Sequence, residues 1–233
     1  MRSFLLSTFL FLAFLQTSWA QMEAVDMGLS VKWGTCNLGA SEPSEPGNYY
    51  AWGETSPKDT FKWSNYVFSL DSEGKRFSKY DYDWYQASGG SYGSVLEWDD
   101  PLDRTHYVMT EECPPDLEPS DDAARALLGG SWRMPTLYDF QELQKACKWK
   151  WTKLNGVKGY LVTSKKTGNS IFLPVTGLHN LYGFDDVPYG YYWSSTLYGI
   201  QQYRAFSFDI ERHSHSSGPC DRYYGLPIRP VQE

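Results

Sequence analysis

The stretch Gly129-Gly-Ser-Trp-Arg-Met-Pro-Thr136-Leu-Tyr-Asp-Phe-Gln-Glu-Leu-Gln-Lys-Ala-Cys147 separates two differently patterned halves of the chain. Thr136 and Asp139 stand at capping-box spacing, in which each side chain satisfies a backbone N–H left free at the helix start. Leu137, Phe140, Leu143 and Cys147 then recur at three- and four-residue steps, which predicts a helix from Leu137 to about Cys147 with one apolar face. Just upstream, Ser120 as N-cap, with Asp121 and Asp122 favourable to the helix dipole, predicts a short helix over 123–128 that stops at Gly129. The lysines from Lys145 to Lys153 read as the solvated end of the longer helix. Beyond it every segment has strand character: Gly159 to Ser164, Ser170 to Pro174, Tyr189 to Leu197, Arg204 to Glu211 and Leu226 to Val231, parted by Gly, Asn and Asp turns. Before the helices, alternating Leu29 to Trp33 and the aromatic run Gly47 to Gly53 read as short strands. Strands, then two short helices, then a meander of strands define an α+β class with segregated elements, and no internal repeat is present.

Composition narrows the possibilities further. With 10 Trp, 18 Tyr and 12 Phe in 233 residues, the chain is too aromatic for disorder, and 20 Gly and 13 Pro argue against long helices. A net charge of -7 repels phosphate backbones, and the few lysine clusters form no basic stripe, so no nucleic-acid partner is expected. Residues 1–20 have the build of a secretory signal: Arg2, an apolar run from Phe4 to Leu15, then Ser18 and Ala20 as the small residues of a cleavage site. Cleavage near Ala20 would leave residues 21–233 as a single domain, secreted, periplasmic or on the cell surface. No later apolar run is long enough to span a bilayer. An oxidising address makes one or two disulfides expected among Cys36, Cys113, Cys147 and Cys220, with three full pairings open. The Tyr-, Asp- and Ser-rich stretch over 60–119 reads as a long insertion lying over the core.

Several strings resemble a known family: Val25-Asp-Met-Gly-Leu-Ser-Val-Lys-Trp-Gly-Thr-Cys-Asn-Leu-Gly-Ala40, Tyr50-Ala-Trp-Gly-Glu-Thr55, Gly130-Ser-Trp-Arg-Met-Pro-Thr136, Asn169-Ser-Ile-Phe-Leu-Pro174, Gly190-Tyr-Tyr-Trp-Ser-Ser195 and Pro227-Ile-Arg-Pro-Val231. In that order they are similar to the Fibrobacter succinogenes major paralogous domain, common in secreted and surface proteins of gut Bacteroidetes. The resemblance implies a C-type-lectin-like fold, loop-rich with a twisted antiparallel sheet, related to formylglycine-generating enzymes and to the variable proteins of diversity-generating retroelements. The segment Tyr66 to Glu118 is longer and more aromatic than that family pattern.

Several residue types in the chain could carry chemistry. Formylglycine generation needs two close cysteines, and only Cys220 lies in the C-terminal part. Gly129-Gly-Ser-Trp-Arg lacks the second glycine of a nucleophile elbow. Carboxylate pairs such as Asp99-Asp100, Asp121-Asp122 and Asp185-Asp186 are the raw material of a glycosidase, but in an acidic chain they are usually solvated loops or helix starts. No cofactor is expected. Calcium has hard oxygen donors available in the loops but no located site. From Ala205 to His215, strand alternation puts Phe206, Phe208 and Ile210 on a core face, with Asp209, Glu211, His213 and His215 opposite. His213 and His215 could ligate zinc or copper, although a solvated face or hairpin turn fits the following Ser and Gly better. The stretch Tyr198 to Tyr224 mixes Tyr, Ser, His, Asp and Arg as paratopes do. In the retroelement-diversified relatives the ligand contacts lie in this part of the fold. By that resemblance Tyr198, Gln201, Tyr203, His213, His215, Asp221 and Tyr223 are the candidate ligand-binding residues.

Glu54 is expected to pair with Arg133 or Arg229 as scaffold, and Trp33, Trp52, Trp132 and Trp193 are expected in the core. The tyrosines of the insertion and of the C-terminal loops are expected on display. The leading reading is a non-catalytic binding or adhesion module for a protein or glycan. Its rivals are a secreted glycan-acting enzyme and a structural subunit of the cell envelope.

Overall fold

A computed structural model describes residues 22–81, 96–98, 107–109, 116–199 and 201–233. In chain order the elements are β1 (Ala24–Val25), β2 (Lys32–Gly34), β3 (Leu96–Trp98), β4 (Tyr107–Met109), α1 (Ala123–Leu128), β5 (Trp132–Arg133) and α2 (Leu137–Ala146). They continue as β6 (Cys147–Leu154), β7 (Val157–Ser164), β8 (Ser170–Pro174), β9 (Leu178–Asn180), β10 (Gly183–Asp185), β11 (Gly190–Leu197), β12 (Arg204–Glu211), β13 (Ser214–Asp221) and β14 (Val231–Gln232). All of these strands pair antiparallel, and the helices are few and short, which fits an α+β or mostly-β class.

The capping box forms as the sequence predicts. Thr136 Oγ1 accepts from the Asp139 N–H at 3.1 Å, and Asp139 accepts from the Thr136 N–H at 2.7 Å. Leu137, Phe140, Leu143 and Cys147 are all buried, and Phe140 stacks on Phe208 with ring centroids 4.6 Å apart. The cap of α1 is Asp122, not Ser120: its Oδ1 accepts from the Arg125 N–H at 3.0 Å and its Oδ2 from the Met134 N–H at 2.8 Å. One buried carboxylate thereby ties α1 to the turn before α2.

Strand β6 corrects the reading of Lys145 to Lys153 as a helix end. The helix stops at Ala146, and Cys147-Lys-Trp-Lys-Trp-Thr-Lys-Leu154 alternates with period two, which is strand logic. Asn155 and Gly156, both at positive φ (51° and 85°), make the two-residue turn into β7, a backbone geometry these two residues favour. Strands β6, β7 and β8 form one meander, and β11, β12 and β13 another. Three expected strands shrink, and of Leu29 to Trp33 only Lys32 and Trp33 enter β2. Gly47 to Gly53 contributes only a bridge between Tyr50 and Leu226, and of Leu226 to Val231 only Val231 enters a strand, because Pro227 and Pro230 have no N–H to donate.

The β11–β13 meander lies between two apolar cores. Tyr192, Phe208 and Ile210 belong to one, with Phe140, Leu143, Tyr160 and Val162. Trp193, Leu197 and Ala205 belong to the other, with Trp52, Tyr66, Phe68, Tyr80 and Leu226. Trp33, Trp52, Trp132 and Trp193 are buried, as expected. Tyr66, Tyr80 and Tyr223 are buried too, so these tyrosines are core and not display. Within the 60–119 insertion, residues 82–95, 99–106 and 110–115 lie outside the described residues. No disulfide joins the described cysteines: Cys36, Cys147 and Cys220 are free thiols, against the expected one or two bridges, and Cys113 lies outside the described residues.

Candidate functional site

The β12–β13 hairpin divides the seven candidate residues between its two ends. Arg204 pairs with Asp221 at one end and Glu211 with Ser214 at the other, so eight-residue strands hold the ends roughly 23 Å apart. Tyr198, Gln201, Tyr203, Asp221 and Tyr223 sit at the first end, which is largely closed on itself. Arg204 Nε donates to Asp221 Oδ1 at 2.9 Å, and its guanidinium lies 5.3 Å from the Tyr203 ring centre. Tyr198 meets Phe206 edge-on at 5.2 Å, and Tyr223 is buried 4.6 Å from Trp63.

His213 is exposed in the turn at the second end, whereas His215 belongs to the returning strand opposite Ile210. The turn reverses the alternation that the sequence reading carried straight through. His215 therefore faces inward, stacked on Trp149 at 4.1 Å and edge-on to Tyr160 at 5.5 Å, and does not form a ligand pair with His213. Among the described residues no group of three or more His, Cys, Asp or Glu is placed to hold a metal ion.

An open groove of about 650 Å³ lies beside this turn. Strands β6 and β7 supply Trp151, Thr152, Lys153 and Lys158, the segment entering β11 supplies Pro188 and Tyr189, and the hairpin supplies Glu211 and Arg212. The wall is fixed from below. Trp151 packs edge-on against Tyr160 at 5.0 Å, and Tyr160 Oη donates to the Arg212 carbonyl at 3.3 Å. Trp151 and Tyr189 are half-buried, and Lys153, Lys158 and Arg212 are exposed. Reading Lys145 to Lys153 as the solvated end of a helix hides this site, and the period-two alternation of β6 is the signal that finds it.

A second hollow, of about 310 Å³, is lined by Asp116, Asp122, Arg125, Arg133 and Ser195 among others. Residue Asp116 stands at the surface, but its carboxyl is drawn in where Ser195 Oγ (2.9 Å) and Thr196 Oγ1 (2.5 Å) donate to it. Desolvation holds both the Asp116 and the Asp122 carboxyl above the ordinary range. Arg133 is engaged by Asp139 at 2.7 Å and Glu233 at 2.9 Å. Glu54 pairs with Lys58 at 2.8 Å and not with Arg133 or Arg229, since Arg229 is spent on Asn37 and the carbonyls of Gly34, Thr35 and Phe172.

Inside the β11–β13 meander, the Asp209 carboxyl is buried although the residue as a whole is half-buried, and that burial pushes it up to about 7 against the donation from Ser207 Oγ at 2.7 Å. The neighbouring Cys220 thiol is raised well above its usual value, by burial first and by the Asp209 and Asp221 carboxylates second, which leaves it a poor nucleophile. The β9–β10 hairpin exposes Leu181, Tyr182 and Phe184, with Tyr182 at 94% exposure. Among the described residues no helix is long and apolar enough to cross a membrane. The chain matches no family model, no curated protein and no solved structure.

Proposed function

We propose that this chain is a secreted or cell-surface binding module, non-catalytic, that takes a glycan in the groove beside the β12–β13 turn. The observation carrying this reading is the pairing of Trp151 and Tyr189 with exposed polar side chains in an open groove. Half-exposed aromatics offer a flat apolar surface to the C–H face of a sugar ring, and polar neighbours fix orientation through the hydroxyls. His213, one of the residues singled out in the sequence, adjoins Arg212 at this end. The C-type-lectin-like architecture and the kinship with the Fibrobacter succinogenes major paralogous domain belong to the same proposal. Both rest on the ordered sequence motifs and on the α+β element order.

A glycan array with the purified protein, alongside a pulldown of host proteins, tests the reading. Binding of glycans that Trp151→Ala abolishes while the protein stays folded supports it. A protein ligand whose binding ignores Trp151 would move the site to the other end of the hairpin, at Tyr198, Gln201 and Tyr203. Export is checked separately by sequencing the mature N-terminus, expected at Gln21.

A glycan-acting enzyme is the second reading, favoured by one observation: the raised carboxyls of Asp116 and Asp122 in one hollow. Asp122 has both oxygens committed to backbone N–H groups, which suits a structural latch better than an acid catalyst. Oligosaccharide hydrolysis abolished by Asp116→Asn would decide for the enzyme.

A further inference from the structure

We infer that the groove selects anionic saccharides, their acid groups meeting Lys153, Lys158 and Arg212; this rests on the glycan reading above. Three cations gather at the rim of one groove in a chain of net charge -7, against a single carboxylate there, Glu211. The register makes the placement costly. Lys153 and Lys158 are direct cross-strand partners at the open end of β6 and β7, where like charges repel. Their exposure lets water relieve part of that repulsion, but nothing in the fold turns it into attraction. Among the described residues neither lysine nor Arg212 has a carboxylate within ion-pair distance, whereas Lys58, Lys79, Arg133 and Arg204 all do. A ligand carrying carboxylate or sulfate groups supplies the missing counter-charge. Two ammonium groups offer point charges, and the planar guanidinium of Arg212 can grip such a group with two parallel hydrogen bonds.

The aromatic walls add what charge alone does not. A pyranose ring can lie against Trp151 or Tyr189 while its acid substituent reaches the cationic rim, and Thr152 and Glu211 remain for hydroxyls. The rigid backing of the groove, Trp151 on Tyr160 and Tyr160 on the Arg212 carbonyl, holds the stacking surface and the cation at a set spacing. An extended polyanion without rings would meet the lysines but not the walls.

Calorimetric titration of the purified protein tests this with uronate oligosaccharides, sulfated oligosaccharides and neutral oligosaccharides of equal length. The expected result is that at least one acidic series binds about tenfold or more tighter than the neutral one at low salt, with the advantage shrinking at about 0.5 M salt as screening shortens the reach of the charges. The uronate and sulfate arms identify which acid group is read. The double variant Lys153→Ala/Lys158→Ala should erase the preference for the acidic series and melt no lower than the parent because it removes a like-charge pair. Neutral oligosaccharides binding as tightly as acidic ones, or a double variant that keeps the preference, would overturn the inference while leaving the glycan reading intact. Inorganic polyphosphate competing as well as the acidic sugar would overturn it too, by showing that the rim reads charge alone. Absence of binding by every saccharide would remove both readings together.

Discussion

Arg222 is fully buried, and no carboxylate among the described residues reaches it. Its charge is met by a cage of rings, with Phe77 at 4.4 Å and Trp52 at 4.9 Å from the guanidinium carbon. Four hydrogen bonds complete the site: Nε to Tyr66 Oη, Nη1 to the carbonyls of Tyr80 and Gln202, and Nη2 to that of Lys79. Replacing it by methionine keeps the stem but strands three carbonyls, so Arg222→Met should cost about 3 kcal/mol or more, read as a fall in the guanidinium midpoint with unchanged slope. Arg222→Lys should cost less, because the charge stays within the rings. Nothing in the sequence marked Arg222, since a lone arginine carries no pattern; its cage comes from segments more than a hundred residues away.

Asp209 gives a second residue-scale prediction. Its carboxyl titrates near 7 in the folded protein against 3.8 ordinarily, because burial disfavours the charge. The native state therefore holds a proton that the unfolded chain has released between those values. This contribution to stability is full below about pH 4 and is lost as pH rises through about 7. Denaturation midpoints measured from pH 5 to pH 8 should fall with pH, and Asp209→Asn should flatten that part of the profile.

At the scale of elements, the two helix caps should differ. Thr136→Ala removes one capping bond and should cost about 1 kcal/mol. Asp122→Ala removes both a cap and the bond to Met134, and should cost more, about 2 kcal/mol, in the same chemical denaturation assay. Helix α2 was legible because its start signal and its apolar stripe are both local. Strands β8 and β12 were legible for the same reason, by alternation between turn residues. The failures were also local. Reading Ala205 to His215 as one strand missed the reversal at Arg212 and His213, neither of which is a strong turn residue, and so gave His215 the wrong face. The lysines of β6 outweighed its alternation.

For the whole molecule, antiparallel sheets with few, short helices followed from element order, but the arrangement of two cores on either side of one meander did not. It depends on which loops pack against Trp193 and Ala205, and loops carry no period. The candidate site was half legible: the hairpin turn with His213 was singled out, while the opposing wall with Trp151 was not. The free thiols make a prediction at this scale. Alkylation under denaturing, non-reducing conditions should label Cys36, Cys147 and Cys220, as read by peptide mass spectrometry, and native labelling should be slow because all three are at least half-buried.

Strand β14 lies between β2 and β5, with Val231 opposite both Trp33 and Arg133. These two strands lie about a hundred residues apart in the chain, and in that sheet they are joined only through β14. A ribosome delivers the chain in order, so the sheet cannot close while any of β14 is still inside the exit tunnel. The closing contacts have very long sequence separation, and folding should be correspondingly slow. Until then the edges of β2 and β5 stay open, which an aggregating chain exploits.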